Sequence, residues 1–163
     1  MPPTRTDRTV LHELRYLILA AQREGSRRLG ESLRHLGLTP AQAEVLDVLS
    51  THPQVTLAEL GRLLVCEAGS PSRLVDSLVR RGLVNRLPHE LDRRAVMIEL
   101  TEEGRALATR LGDATGRLVE AITTRLTRDD VTELRRLLHA LLRDTDGGFA
   151  IDIRFPSELH RSE

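Results

Sequence analysis

Apolar residues recur at three- and four-residue steps through the opening stretch: Val10, Leu11, Leu14, Leu17, Ile18 and Ala21, then Leu29, Leu33 and Leu36. This is the period of one helix face. It predicts a long amphipathic helix over about residues 7–36, with Gly25 and Gly30 as points of weakness or bending and Gly37 as the stop. The next apolar set, Val45, Leu46, Val48 and Leu49, follows Thr39-Pro40-Ala41-Gln42. There a threonine N-cap precedes proline at the first helical position and glutamine three residues after the cap, so a second helix starts and runs to the His52-Pro53 break.

Thr56 and Glu59 make another capping box, opening a short helix over 57–64. After a turn over 65–69, Ser70 or Gly69 caps a helix with Pro71 in its first turn, which runs to Arg81 and ends at Gly82. Leu74, Val75, Leu78 and Val79 are expected to face inward, leaving Ser72, Arg73, Asp76, Ser77 and Arg80 outside. Two short helices joined by a tight turn, the second with a small, polar and basic outer face, form a helix-turn-helix.

The period then changes. Residues 83–87 and 95–100 read as short strands, with Val96, Ile98 and Leu100 alternating in the second. Pro88-His89-Glu90-Leu91-Asp92 forms the tip between them, flanked by arginines, and a hairpin in this position is a wing. Thr101 with Glu102 and Glu103 opens a long helix to about residue 126, and Thr127 with Asp130 caps a last one to about residue 143. Beyond Gly147-Gly148, Phe149, Ile151, Ile153 and Phe155 alternate with Ala150, Asp152 and Arg154. That period of two suits an extended arm over 147–163, packed on the body or a partner subunit or closing over a pocket as a lid, with a disordered tail as the remaining alternative. The expected fold is mainly α with a small β-hairpin wing. A winged helix-turn-helix DNA-binding domain spans 38–100, and 7–36 with 101–146 form a helical dimerisation domain, because long amphipathic helices outside the reading head need a partner surface.

Composition narrows the function. With 163 residues, 40% hydrophobic and 29% charged, the chain is an ordinary globular domain. No apolar run approaches a membrane span, and the polar start lacks a signal core. Cys66 is the single cysteine, so no intrachain disulfide forms and a cytoplasmic setting is expected. Net charge is zero, which argues against coating nucleic acid by bulk charge, yet from Gly69 to Arg94 six arginines face three acids. All 24 basic residues are arginine, either a mark of genome composition or a choice of side chain suited to phosphate and guanine.

Three stretches in this order and spacing, TLAELGRLL at 56–64, SRLVDSLVRRGLV at 72–84 and LDRRAVMIELTEEG at 91–104, resemble the MarR family of bacterial regulators. The last holds the family's D-x-R wing pattern as Asp92-Arg93-Arg94, followed by Leu100-Thr101 and Gly104. The resemblance covers about residues 10–143 and departs at Cys66, at Pro71 and beyond Asp146. It implies a symmetric homodimer, with the first and last helices interleaved between subunits and the recognition helices set roughly 34–36 Å apart on a pseudo-palindromic operator in double-stranded DNA. It also implies a repressor that releases DNA when a small phenolic or anionic aromatic effector enters the cleft between dimer helices and reading head.

In the reading head Ser70, Ser72, Arg73 and Ser77 lie near the start or on the outer face of the recognition helix, whose N-terminus presents N–H groups to phosphate. Arg73 suits guanine O6 and N7 together, or phosphate; Asp76 suits orienting an arginine or accepting from cytosine. Arg80 and Arg81 read as backbone clamps or solvated residues, and Arg86, His89 and Arg93 as contacts to flanking phosphates. Arg94 resembles the family arginine that enters the minor groove, with Asp92 shaping the tip or the two merely bracing it. His12, Arg15 and Tyr16 are candidates for the effector cleft or for the dimer surface. Cys66 offers a rival thiol switch or is a small core hydrophobe. The six histidines lack the close pairs of a structural zinc site, and no catalytic motif or cofactor signature appears. A winged-helix protein-interaction module is the contrasting class, disfavoured by the serines and arginines on the outer face.

Overall fold

The computed structural model of the chain describes residues 5–65, 70–89 and 95–156. The long helix is α1 (Arg5–Leu33), uninterrupted at Gly25 and Gly30, and it tightens into a 3-10 turn at Arg34–Leu36. Gly37 stops it at φ 63°, the left-handed region that strains any side chain, with its N–H donating to the Arg34 carbonyl. Thr39 and Gln42 form their reciprocal cap at the start of α2 (Pro40–Thr51), and Thr56 and Glu59 theirs at α3 (Leu57–Leu63).

The core is built around α2. Val45, Leu46 and Val48 are fully enclosed and pack with Leu33, Leu60, Val75, Leu78, Val84 and Ile98 from the surrounding elements. Val75 and Leu78 seat the recognition helix, α4 (Pro71–Arg80). Val79, expected inside, is 37% exposed, so α4 buries a narrower stripe than its apolar pattern suggests. The wing strands β2 (Val84–Pro88) and β3 (Val96–Leu100) pair antiparallel, with Val84 opposite Leu100 and Arg86 opposite Ile98. A strand that the sequence reading lacks, β1 (Val55–Thr56), pairs with the other edge of β3, giving the order β1-β3-β2. Two residues are too short a run for periodicity to register.

The reading head joins α5 (Glu102–Thr123) at a tight junction. Thr101 N–H donates to the Leu83 carbonyl (3.1 Å), its hydroxyl to the Gly82 carbonyl (2.7 Å), and Gly104 N–H to the same hydroxyl (3.0 Å). A Cβ at Gly104 would collide with the Leu83 carbonyl, so only glycine fits there. Next, α6 (Arg128–Leu142) opens on the Thr127–Asp130 box. Val10, Leu11, Leu14 and Leu17 of α1 and Leu134, Leu137, Leu138 and Leu141 of α6 are all exposed, leaving two apolar helix faces uncovered within the chain. Among the described residues no helix is long and apolar enough to cross a membrane.

The tail corrects the sequence reading. Residues 146–154 are not an extended arm but a helix, α7 (Asp146–Arg154), capped by Thr145, whose hydroxyl accepts from Gly148 N–H at 3.1 Å. Asp144 turns the chain at φ 62°, and Gly148 packs so closely on the Leu142 carbonyl that no Cβ would fit. The alternation misleads because the inward pair is Ala150 and Arg154, four residues apart on one helix face. Phe149, Ile153 and Phe155 are exposed. Residues 157–163 lie outside the described residues.

Candidate nucleic-acid interface

The recognition helix begins at Ser70, whose carbonyl accepts from Arg73 N–H (2.9 Å) and whose hydroxyl makes no capping bond. Pro71 at the first helical position needs no acceptor, and α3 approaches it at Gly61, where a Cβ would stand 3.3 Å from the proline ring. Arg73 and Arg80 are exposed and carry no side-chain hydrogen bond or ion pair among the described residues. With Ser72 half-buried at the start of the helix, they form its polar, cationic side.

Ser77 and Arg81 are engaged differently from the sequence reading. Ser77 Oγ accepts from Gln42 Nε2 at 2.8 Å, turning the hydroxyl toward α2. Arg81 Nη1 donates to the Gly37 carbonyl at 2.9 Å and to Gln42 Oε1 at 3.4 Å. Gln42 therefore caps its own helix while holding the second half of α4, a role its sequence position as a capping residue does not disclose. Asp76 does orient an arginine: its Oδ1 meets Arg86 Nη2 at 2.8 Å, and the same nitrogen reaches the Ser72 carbonyl at 3.4 Å. Arg86 thereby ties β2 to the recognition helix. Both partners are partly exposed, so the pair sets geometry more than stability.

At the base of the wing His89 N–H donates to the Ala95 carbonyl at 3.3 Å. The Glu59 carboxyl is held below its ordinary range by the Thr56 backbone N–H first, then by the Thr56 hydroxyl, with the charges of Arg62 and His89 adding to it. Asp92, Arg93 and Arg94 of the wing, and Cys66, lie outside the described residues.

His12, Arg15 and Tyr16 do come together on α1. The His12 and Tyr16 rings meet edge to face at 5.1 Å, and the Arg15 guanidinium sits 4.4 Å from the centre of the Tyr16 ring. Tyr16 is half exposed, and none of the three lines either of the two grooves described next. One groove, about 630 Å³ between α2, β3 and α5, is lined by Leu49, Gln54, Glu99 and Arg105. Another, about 830 Å³ between α6 and α7, is lined by His139, Arg143, Phe149 and Asp152. Among the described residues no group of three histidine, cysteine or acidic side chains is placed to hold a metal ion.

A buried helix-turn-helix, an exposed arginine face on its second helix and an adjoining antiparallel hairpin define a winged helix DNA-binding domain. Residues 38–104 match the family of that description. The multiple antibiotic resistance protein MarR of Escherichia coli K12 is 35% identical over 127 residues, 77% of this chain and 88% of the relative. The organic hydroperoxide resistance transcriptional regulator of Bacillus subtilis is 28% identical over 131 residues, 80% and 88% of the two chains. A crystal structure of a mutant E. coli MarR complexed with operator DNA aligns with a TM-score of 0.73 at 34% identity, covering 80% of this chain and 94% of that one. The chain belongs to the MarR family of transcription regulators.

Proposed function

We propose that this regulator is a repressor that binds a pseudo-palindromic operator as a homodimer and releases it on binding a small anionic aromatic effector. The observation that carries the reading is the pair Arg73 and Arg80, exposed in the first and last turns of a helix whose inner face buries Val75 and Leu78 completely. The related E. coli protein solved with operator DNA supports a duplex as the partner. Dimerisation is supported by the uncovered leucines of α1 and α6, which bracket the chain and together need a second apolar surface. Residues 38–100 then act as the DNA-binding unit, and 7–36 with 101–146 as the dimerisation unit. Ser70, Ser72, Arg73 and Arg80 meet DNA directly, Arg86, His89 and Arg93 contact flanking phosphates, and Arg94 enters the minor groove with Asp92 shaping the tip. The His12–Arg15–Tyr16 cluster supplies a cation and an aromatic face to the effector.

The test is selection of a duplex from a random-sequence library, followed by footprinting and measurement of mass in solution. The expected result is two half-sites centred roughly 34–36 Å apart, bound by a particle of twice the chain mass. A phenolic carboxylate should weaken that binding, and should do so less in Arg15→Ala. Failure to enrich any duplex sequence would refute the reading.

A further inference from the structure

The C-terminal helix lies where the chain departs from the stretch that resembles the family, and it ends in an arginine clamp on the reading head. Arg154, 9% exposed, places Nη1 2.7 Å from Glu44 Oε1 and Nη2 2.6 Å from Asp47 Oδ2, both acids on α2. Glu44 is itself 10% exposed. Its Oε1 also accepts from Val65 N–H at 2.7 Å. Val65 follows Leu64, the C-cap of α3, where the backbone leaves the first helix of the motif for the recognition helix.

We propose that Arg154 and Glu44 are positioning residues for DNA reading, with α7 fastening the exit of α3 through the Glu44 carboxylate. The physical reason is the double duty of one oxygen. A nearly buried carboxylate keeps its place when a cation offsets its lost hydration; without Arg154 it turns toward water and drops the Val65 amide. That N–H, just beyond the helix end, then has no partner in place, and the approach to α4 loosens. Asp47 is 50% exposed and binds only the other branch of Arg154, which makes it an internal control.

The inference rests on the DNA-binding reading, so the test separates the two. Full-length Arg154→Met, Glu44→Met, Asp47→Asn and Arg154→Lys are compared with the parent for thermal melting, hydrogen exchange at the Val65 amide, and affinity for the selected duplex across a salt series. Arg154→Met and Glu44→Met should expose the Val65 amide and raise Kd about tenfold, equivalent to about 1.4 kcal/mol. The slope of log affinity against log salt should stay unchanged, because no phosphate contact is lost. Asp47→Asn should keep the amide protected and Kd within about twofold of the parent, and Arg154→Lys should recover part of both. A lowered melting temperature with parental Val65 protection and Kd would reduce α7 to packing and overturn the proposal. A flattened salt slope would overturn it too, by making Arg154 a phosphate contact. If the parent binds no duplex, the DNA reading itself fails, and Val65 exchange in Arg154→Met still decides whether the fastening exists.

Discussion

Arg81 is the residue on which sequence and structure disagree most usefully. By position it reads as a DNA-backbone clamp or a solvated residue at the end of the recognition helix; in the structure its guanidinium reaches back to the Gly37 carbonyl and Gln42. Arg81→Ala removes one good charged hydrogen bond of 2.9 Å and a marginal one of 3.4 Å. A charged donor is worth about 1.5–3 kcal/mol to a buried acceptor, but these bonds are solvent-exposed, which brings the loss to about 1 kcal/mol. For a chain of this size that is a fall of roughly 2–4 °C in melting temperature. A brace contributes nothing to counterion release, whereas a clamp in both subunits of a dimer would contribute about 0.9 per subunit to the salt slope. The assay is thermal melting together with fluorescence anisotropy on the selected duplex at several salt concentrations. The reasoning predicts a lower melting temperature with an unchanged slope. An unchanged melting temperature with a slope flattened by about 1.8 per dimer would refute it. Arg81→Lys sharpens the contrast, since it keeps the charge a clamp needs but loses the geometry of the brace.

Arg73→Ala should behave in the opposite way: melting is unaffected, and discrimination falls by about 1–3 kcal/mol at one base pair per half-site, measured with a panel of single-substitution duplexes. Equal losses on every duplex would reassign Arg73 to phosphate. Gly104→Ala places a methyl group against the Leu83 carbonyl. Overpacking of about 1–3 kcal/mol outweighs the roughly 1 kcal/mol of helix propensity gained, so a calorimetric scan should show a lower melting temperature; a rise would mean the junction yields freely. Glu59 titrates below its ordinary value, so the stability it contributes is full above the unfolded pKa and is lost as pH falls through the lower folded one. Glu59→Gln should therefore flatten the acid side of a stability–pH profile, below about pH 4.3, while Thr56→Ala costs about 1 kcal/mol at neutral pH. A parallel profile in Glu59→Gln would dismiss the linkage.

What was legible in the sequence was local chemistry. Three capping boxes, the stops at Gly37 and Gly82 and the 83–100 hairpin are each written within a few residues of where they act. The exposed arginines of α4 followed from helical period alone. Two of the contacts missing from that reading span long separations. Gln42 and Ser77 lie 35 residues apart, and Arg154 and Glu44 110, and no period links them. The tail failed for a related reason. Four alternating apolar residues suggested a strand, but the helix is set by the Thr145 cap and by a charged residue whose partners are on another element. Buried arginine is invisible to a pattern that sorts residues by hydropathy.

These long-range contacts explain why a helix without any predicted role in reading DNA holds the middle of the head. Within α2, Gln42 reaches Ser77 and Arg81 at the far half of the recognition helix, and Glu44 reaches Val65 on its approach. Two side chains two residues apart thus hold the far half of α4 and the exit of α3, over a core in which Val75 and Leu78 are wholly enclosed. Rocking α4 alone would break the Gln42–Ser77–Arg81 set, worth about 1 kcal/mol at Arg81, and strip Val75 and Leu78 from the core, a packing loss that by itself matches or exceeds a typical coupling free energy of about 1–3 kcal/mol. At the other border, Thr101 and Gly104 lock the wing to the start of α5. For the proposed effector-released dimer, the least costly motion is then displacement of the whole lobe with α5, which would change the separation of two recognition helices while leaving each one intact. On that proposal, control of DNA binding is a matter of spacing between rigid heads, with α7, clamped to α2, travelling with the head it fastens.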